Sequence, residues 1–86
     1  MMRDLCPVCG LTLDKPAWGG DLASFQICPC CGTQFGYEDS GPKSSRQERW
    51  RELRQRWIDG GMNWWSDNQP PEGWDAKEQL ARVAAS

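Results

Sequence analysis

The chain has 86 residues, of which 38% are hydrophobic, six are tryptophan, five are cysteine and none is histidine; its formal charge is −2. One compact domain fits that length, but below roughly 70 to 80 residues a hydrophobic core supplies only about 3 to 5 kcal/mol, so small folds add disulfides, metals or oligomer contacts. The absent histidine removes the commonest general base, nothing approaches the about 18 consecutive apolar residues of a membrane span, and the acidic balance gives no generic attraction to nucleic acid.

The chain opens MMRDLCPVCG, without the basic segment and apolar stretch of a secretory signal, so a cytoplasmic location is expected. In that reducing compartment paired C-x-x-C motifs favour a metal over disulfides. CPVCG at residues 6–10 is repeated twenty-two positions later as CPCCG at residues 28–32. Cys6 aligns with Cys28, Pro7 with Pro29, Cys9 with Cys31 and Gly10 with Gly32. The full pattern is C-x2-C-x18-C-x2-C, within the spacing range of a zinc site. Pro presets the φ angle a tight turn wants, and Gly permits the positive φ that wraps the chain back beneath the sulfurs. Each turn then presents two thiolates, and two facing turns complete a tetrahedron from Cys6, Cys9, Cys28 and Cys31. Cys30 aligns with Val8, in the slot expected to point away from the metal, and reads as a small residue on the outer surface of the turn; the sharper alternative is an accessible thiol, sensitive to oxidation or able to replace Cys31 transiently as ligand. Four cysteine ligands saturate zinc, which makes the site structural and an enzyme activity unexpected. Iron is the alternative ion, since four thiolates also hold a single iron in rubredoxin-type electron carriers.

Short strands are expected at Leu11–Leu13, Ser24–Ile27 and Thr33–Tyr37, with Phe35 and Tyr37 on one face. DKPAWGGD between the first two reads as a loop. Glu38 and Asp39 read as a solvated pair in an exposed turn. DSGPKSS separates this zinc-ribbon part, residues 1–43, from a helical, Trp-rich extension, residues 44–86. The extension opens with a helix signalled by a capping box, Ser45 with Glu48, and stopped by Gly60-Gly61. Trp50, Leu53 and Trp57 form its inward stripe. In the irregular MNWWSDNQPPEGW, the adjacent Trp64 and Trp65 cannot both face one core, so one of them should be exposed. A last helix should start at Asp75, with Glu78 three residues past the cap and Leu80, Val83 and Ala84 to one side, fraying at Ala85 and Ser86.

Charge is unevenly spread: residues 1–43 carry three Lys/Arg and five Asp/Glu, residues 44–61 five and three, and residues 62–86 two and four. Arginine interleaved with tryptophan in RQERWRELRQRW raises a nucleic-acid reading. The helical wheel weakens it, placing Arg49 and Arg56 on one side of the stripe, Arg51 and Arg54 on the other, and Glu48, Glu52 and Asp59 behind. Glu52 with Arg56 makes a favourable i,i+4 pair, and the arginine stems can lie along the indoles.

CPVCG followed by ICPCCGTQFGYED resembles the cysteine-rich CPCC family of small bacterial zinc-ribbon-like proteins, in which the second knuckle leads into an aromatic residue and an acidic pair. Tyr37, Glu38 and Asp39 fit that pattern. LRQRWIDGGMNWWS and PPEGWDAKEQL look like the tail of other small uncharacterised bacterial proteins with paired knuckles. The resemblance implies a zinc-ribbon fold with ligands Cys6, Cys9, Cys28 and Cys31, and brings no established activity. The expectation is therefore an α+β protein in one compact domain, a four-cysteine zinc ribbon with a helical extension packed on it. It binds one zinc ion and recognises protein, or itself, through an exposed tryptophan. The alternatives are a nucleic-acid-binding ribbon and an iron electron carrier.

Overall fold

A computed structural model describes residues 4–19 and 22–84 of the chain. Regular elements are few. Strands β1 (Trp18–Gly19) and β2 (Leu22–Ala23) form an antiparallel pair with Trp18 opposite Ala23, and two helices follow, α1 (Lys43–Asp59) and α2 (Ala76–Ala84). The core is built around the two cysteine turns, with Leu13, Phe35, Leu53 and Trp57 packed on them.

The three expected strands are not formed as strands. Each knuckle is instead closed by one isolated antiparallel bridge, Leu5 with Thr12 and Ile27 with Gln34, after which the chain turns away. Phe35 and Tyr37 consequently do not share a face: Phe35 is 0% exposed and Tyr37 74%. The reason is a tight turn, in which the amides of Tyr37 and Glu38 both reach the Gln34 carbonyl at 3.2 and 3.1 Å. Residues two apart in such a turn point in nearly opposite directions, whereas in a strand they would align. β1 lies in the segment read as a loop and ends on the first residue of its Gly pair, a dipeptide that also serves hairpins.

α1 begins two residues before the expected capping box. Pro42, with φ −61° and ψ 141°, is the N-cap and no side chain caps the helix; the Ser45 hydroxyl donates to the Pro42 carbonyl at 3.1 Å. Proline's fixed φ sets the entry of the chain without help from a side chain. The C-terminus stops as expected. Gly61, at φ +105°, donates to the Ile58 carbonyl and Met62 to that of Trp57, the paired bonds of a Schellman motif. Leu53 and Trp57 are buried and Trp50 is half-buried, so the inward stripe is present. Glu52 pairs with Arg49 at 3.0 Å, one turn back, where Arg56 was expected.

Asp39 ties α1 to the first half of the chain. It is 1% exposed, not part of a solvated pair. Its Oδ2 accepts from the indoles of Trp18 at 2.8 Å and Trp50 at 2.7 Å, and its Oδ1 accepts from the Gly36 amide at 2.6 Å. A buried carboxylate is tolerable where charge-assisted hydrogen bonds replace its water. Arg46 then stacks on the Trp18 ring, its guanidinium carbon 3.6 Å from the ring centroid, a desolvated cation–π contact.

Beyond α1 the chain is irregular until Asp75. Trp57 donates its indole N–H to the Asn63 carbonyl at 2.9 Å, and Trp64 meets Trp74 edge-to-face with centroids 5.5 Å apart. Of the adjacent pair Trp64 is half-buried and Trp65 is 59% exposed, the asymmetry the sequence predicts. Asp75 caps α2 through Oδ1, which accepts from the amides of Lys77 and Glu78 at 3.0 and 3.2 Å. The expected fraying at Ala85 and Ser86 lies outside the described residues. Among the described residues no helix is long and apolar enough to cross a membrane.

Candidate metal centre

The twenty-two-residue repeat is a repeat of hydrogen bonds. In the first knuckle the Gly10 amide bonds the Cys6 carbonyl at 2.9 Å and the Cys6 amide the Leu11 carbonyl at 2.8 Å. In the second, Gly32 bonds Cys28 at 2.8 Å and Cys28 bonds Thr33 at 3.0 Å. Gly10 and Gly32 sit at φ +89° and +77°, where a side chain is strained. A Cβ on Gly10 would overlap the Gln79 carbonyl oxygen, and one on Gly32 would lie 2.6 Å from the Trp65 ring.

These two turns bring the sulfurs of Cys6, Cys9, Cys28 and Cys31 together, all within 4.8 Å of one another. Cys6 to Cys31 and Cys9 to Cys28 are each 3.7 Å apart, and all five cysteines are free thiols. For a metal–sulfur bond of about 2.3 Å a regular tetrahedron has sulfur–sulfur edges of about 3.8 Å. The donor set therefore has the size, number and softness that a tetrahedral thiolate-bound ion requires. Cys6, Cys9 and Cys28 are fully buried and Cys31 is partly exposed, its sulfur donating to the Thr33 hydroxyl at 3.3 Å.

The electrostatics of the thiol set agree with that use. Hydrogen bonds from Cys31, then from Cys6 and Cys9, hold the Cys28 thiol far below its ordinary value. The Cys9 and Cys6 thiols are pushed far above theirs, first of all by the hydrogen bond each shares with Cys28. The first proton lost leaves a thiolate that its neighbours solvate and that opposes further loss. A divalent cation relieves that opposition by accepting all four sulfurs as thiolates.

The knuckle carbonyls are also repeated sites. Arg54 on α1 donates through Nη2 to the Pro7 carbonyl at 2.7 Å and through Nε to that of Val8 at 2.8 Å. The aligned carbonyls of Pro29 and Cys30 accept from the amides of Ser66 and Trp65, both at 2.9 Å. A guanidinium fork on one knuckle thus does what two successive backbone amides do on the other.

Cys30 is not on the surface. It is 0% exposed, like Val8, because the Trp65–Ser66 segment and α2 close over the face that the isolated motif leaves open. Its sulfur accepts from Gln79 Nε2 at 3.3 Å, and the same nitrogen donates to the Cys9 carbonyl at 3.1 Å. Asp39, Arg54 and Gln79 were not legible as site-building residues from the motif. Gln79 had a signal, since it falls among Ala76, Leu80 and Val83 on the inward face of α2, and a polar residue there needs a partner.

No protein-family model matches the chain, and no solved structure matches it. It is similar to YoaQ, an uncharacterised protein of Bacillus subtilis (strain 168), at 29% identity in a match 69 positions long that takes in 66% of this chain. The match spans 58% of that protein's length. Membership of the CPCC family is not established by these comparisons; a small α+β protein with a four-cysteine cluster able to hold a metal ion is what sequence and structure together define.

Proposed function

We propose that this is a non-enzymatic zinc-ribbon protein whose single zinc ion, held by Cys6, Cys9, Cys28 and Cys31, is structural, and whose exposed apolar residues bind another protein. The convergence of four sulfurs within 4.8 Å of one another, two of the pairs at 3.7 Å, carries the metal part of this reading. Zinc is preferred to iron on the resemblance of the paired C-P-x-C-G turns to zinc-ribbon-like proteins, because the donor set itself accommodates either. A saturated four-thiolate site has no open position for substrate, which favours a structural role over catalysis.

The binding role is supported by large apolar side chains that the fold leaves exposed, Leu22, Phe25, Ile27, Tyr37 and Trp65. Nucleic acid is the weaker partner. Of the five arginines of α1, Arg46 is stacked on Trp18, Arg49 is bound to the Glu38 carbonyl and to Glu52, and Arg54 to the first knuckle. These three are committed internally rather than offered to phosphates. Affinity purification with the full chain and its Trp65→Ala variant tests the binding role. Loss of a stoichiometric protein partner with the variant is expected; tight, salt-dependent nucleic-acid binding by both chains would contradict it.

A further inference from the structure

Gln79 is 3% exposed on a helix whose other inward residues are apolar. Its side chain makes three contacts. Oε1 accepts from the Trp74 indole at 2.8 Å, while Nε2 donates to the Cys9 carbonyl at 3.1 Å and to the Cys30 sulfur at 3.3 Å. An indole N–H only donates and a carbonyl only accepts, so the chemistry of the neighbours fixes which end of the amide faces which. The backbone of α2 is equally close, since the Gln79 carbonyl oxygen occupies the space a Cβ on Gly10 would need.

α2 has nine residues, too few to persist as an isolated helix in water. Its order derives from docking, and the polar part of that docking is centred on a residue that touches the second cysteine of one knuckle and the odd cysteine of the other. We propose that Gln79 is a positioning residue of the metal centre: it fastens α2 over Cys9 and Cys30, and by doing so slows release of the metal and keeps the Cys30 thiol out of reach. This rests on the metal-centre reading above. Outer contacts of this kind hold ligands in place, and losing them typically weakens metal binding by about 10- to 100-fold.

Gln79→Glu tests the proposal without changing side-chain volume. The carboxylate still accepts from Trp74 but cannot donate to Cys9 or Cys30; because it also buries a charge beside the thiolates, the neutral Gln79→Met, of similar length, is measured beside it, and a residue that only fills space would show no effect in that second variant. The full chain loaded with one equivalent of zinc is chased with a chromogenic chelator, and iodoacetamide labelling of Cys30 is followed by mass spectrometry. Release should be faster by about 10-fold or more in the variant, with Cys30 labelled while zinc is still bound. Should Gln79→Glu fail to fold, Trp74→Phe removes the indole N–H that orients the amide while leaving an aromatic, though smaller, side chain, and its effect should have the same direction. Wild-type rates of both release and labelling in the folded variants overturn the proposal. A wild-type chain that takes up no zinc overturns the metal-centre reading instead, and the contrast in Cys30 labelling then decides the role of Gln79.

Discussion

At the scale of residues, the two side chains that depart most from their expected settings have the sharpest consequences. Asp39 is the common acceptor for two indoles and an amide. Asp39→Ala leaves those donors without a partner in a dry site, at about 1 to 3 kcal/mol each before relaxation. Stability should fall by about 3 kcal/mol or more in urea denaturation, with a change in tryptophan fluorescence; a loss below about 0.5 kcal/mol would mean that water replaces the carboxylate. Cys30 is buried, so thiol labelling of the folded protein should modify it slowly, and Cys30→Ser should retain a full equivalent of metal. Cys6→Ser, Cys9→Ser, Cys28→Ser and Cys31→Ser should each lose it, because each removes one corner of the sulfur tetrahedron. Metal analysis of the five variants compares them directly, and loss of metal only in Cys30→Ser would reverse the assignment. Arg54→Lys should weaken the first knuckle although charge is kept, since a lysine cannot span the Pro7 and Val8 carbonyls as a planar fork does.

Among the elements, the knuckles and helices were legible and the sheet was not. C-x2-C with flanking Pro and Gly encodes a complete local structure, which is why both knuckles could be read from five residues each. α1 and α2 follow from periodicity, the Gly60-Gly61 stop and the Asp75 cap. The expected strands failed because apolar alternation over three to five residues does not tell a strand from a turn, and the turn at Gln34–Asp39 is fixed by a carboxylate whose partners, Trp18 and Trp50, are distant in sequence. Burial of Cys30 was illegible for the same reason: what covers it is Gln79, 49 residues on, and the Trp65 segment. That segment makes its own prediction. Gly32→Ala would set a methyl group 2.6 Å from the Trp65 ring and in a left-handed conformation, costing about 1 to 3 kcal/mol. Adding Trp65→Ala should restore the part due to the clash. Thermal melts of the single and double variants separate the two, and identical melts for Gly32→Ala with and without Trp65 would show that the ring does not rest there.

For the whole molecule, the cysteine cluster is the keystone: residues from both halves of the chain pack on one set of thiols able to hold a metal ion. Arg54 joins α1 to the first knuckle, Gln79 joins α2 to both, and Trp65 and Ser66 close the second. Little else is regular enough to hold so small a chain, and structural zinc contributes on the order of 10 to 16 kcal/mol in small domains. Acidification should therefore unfold the protein together with metal release, because protons compete for thiolates and metal affinity falls as pH falls. The proposed binding role is a separate matter: Trp57→Ala should cost about 3 to 5 kcal/mol, whereas Trp65→Ala should leave stability nearly unchanged and weaken the proposed partner binding. The most direct test of the central claim is elemental analysis of the purified 86-residue chain. One zinc ion per folded chain is the predicted result; a folded chain that carries no metal and titrates as five free thiols would contradict it.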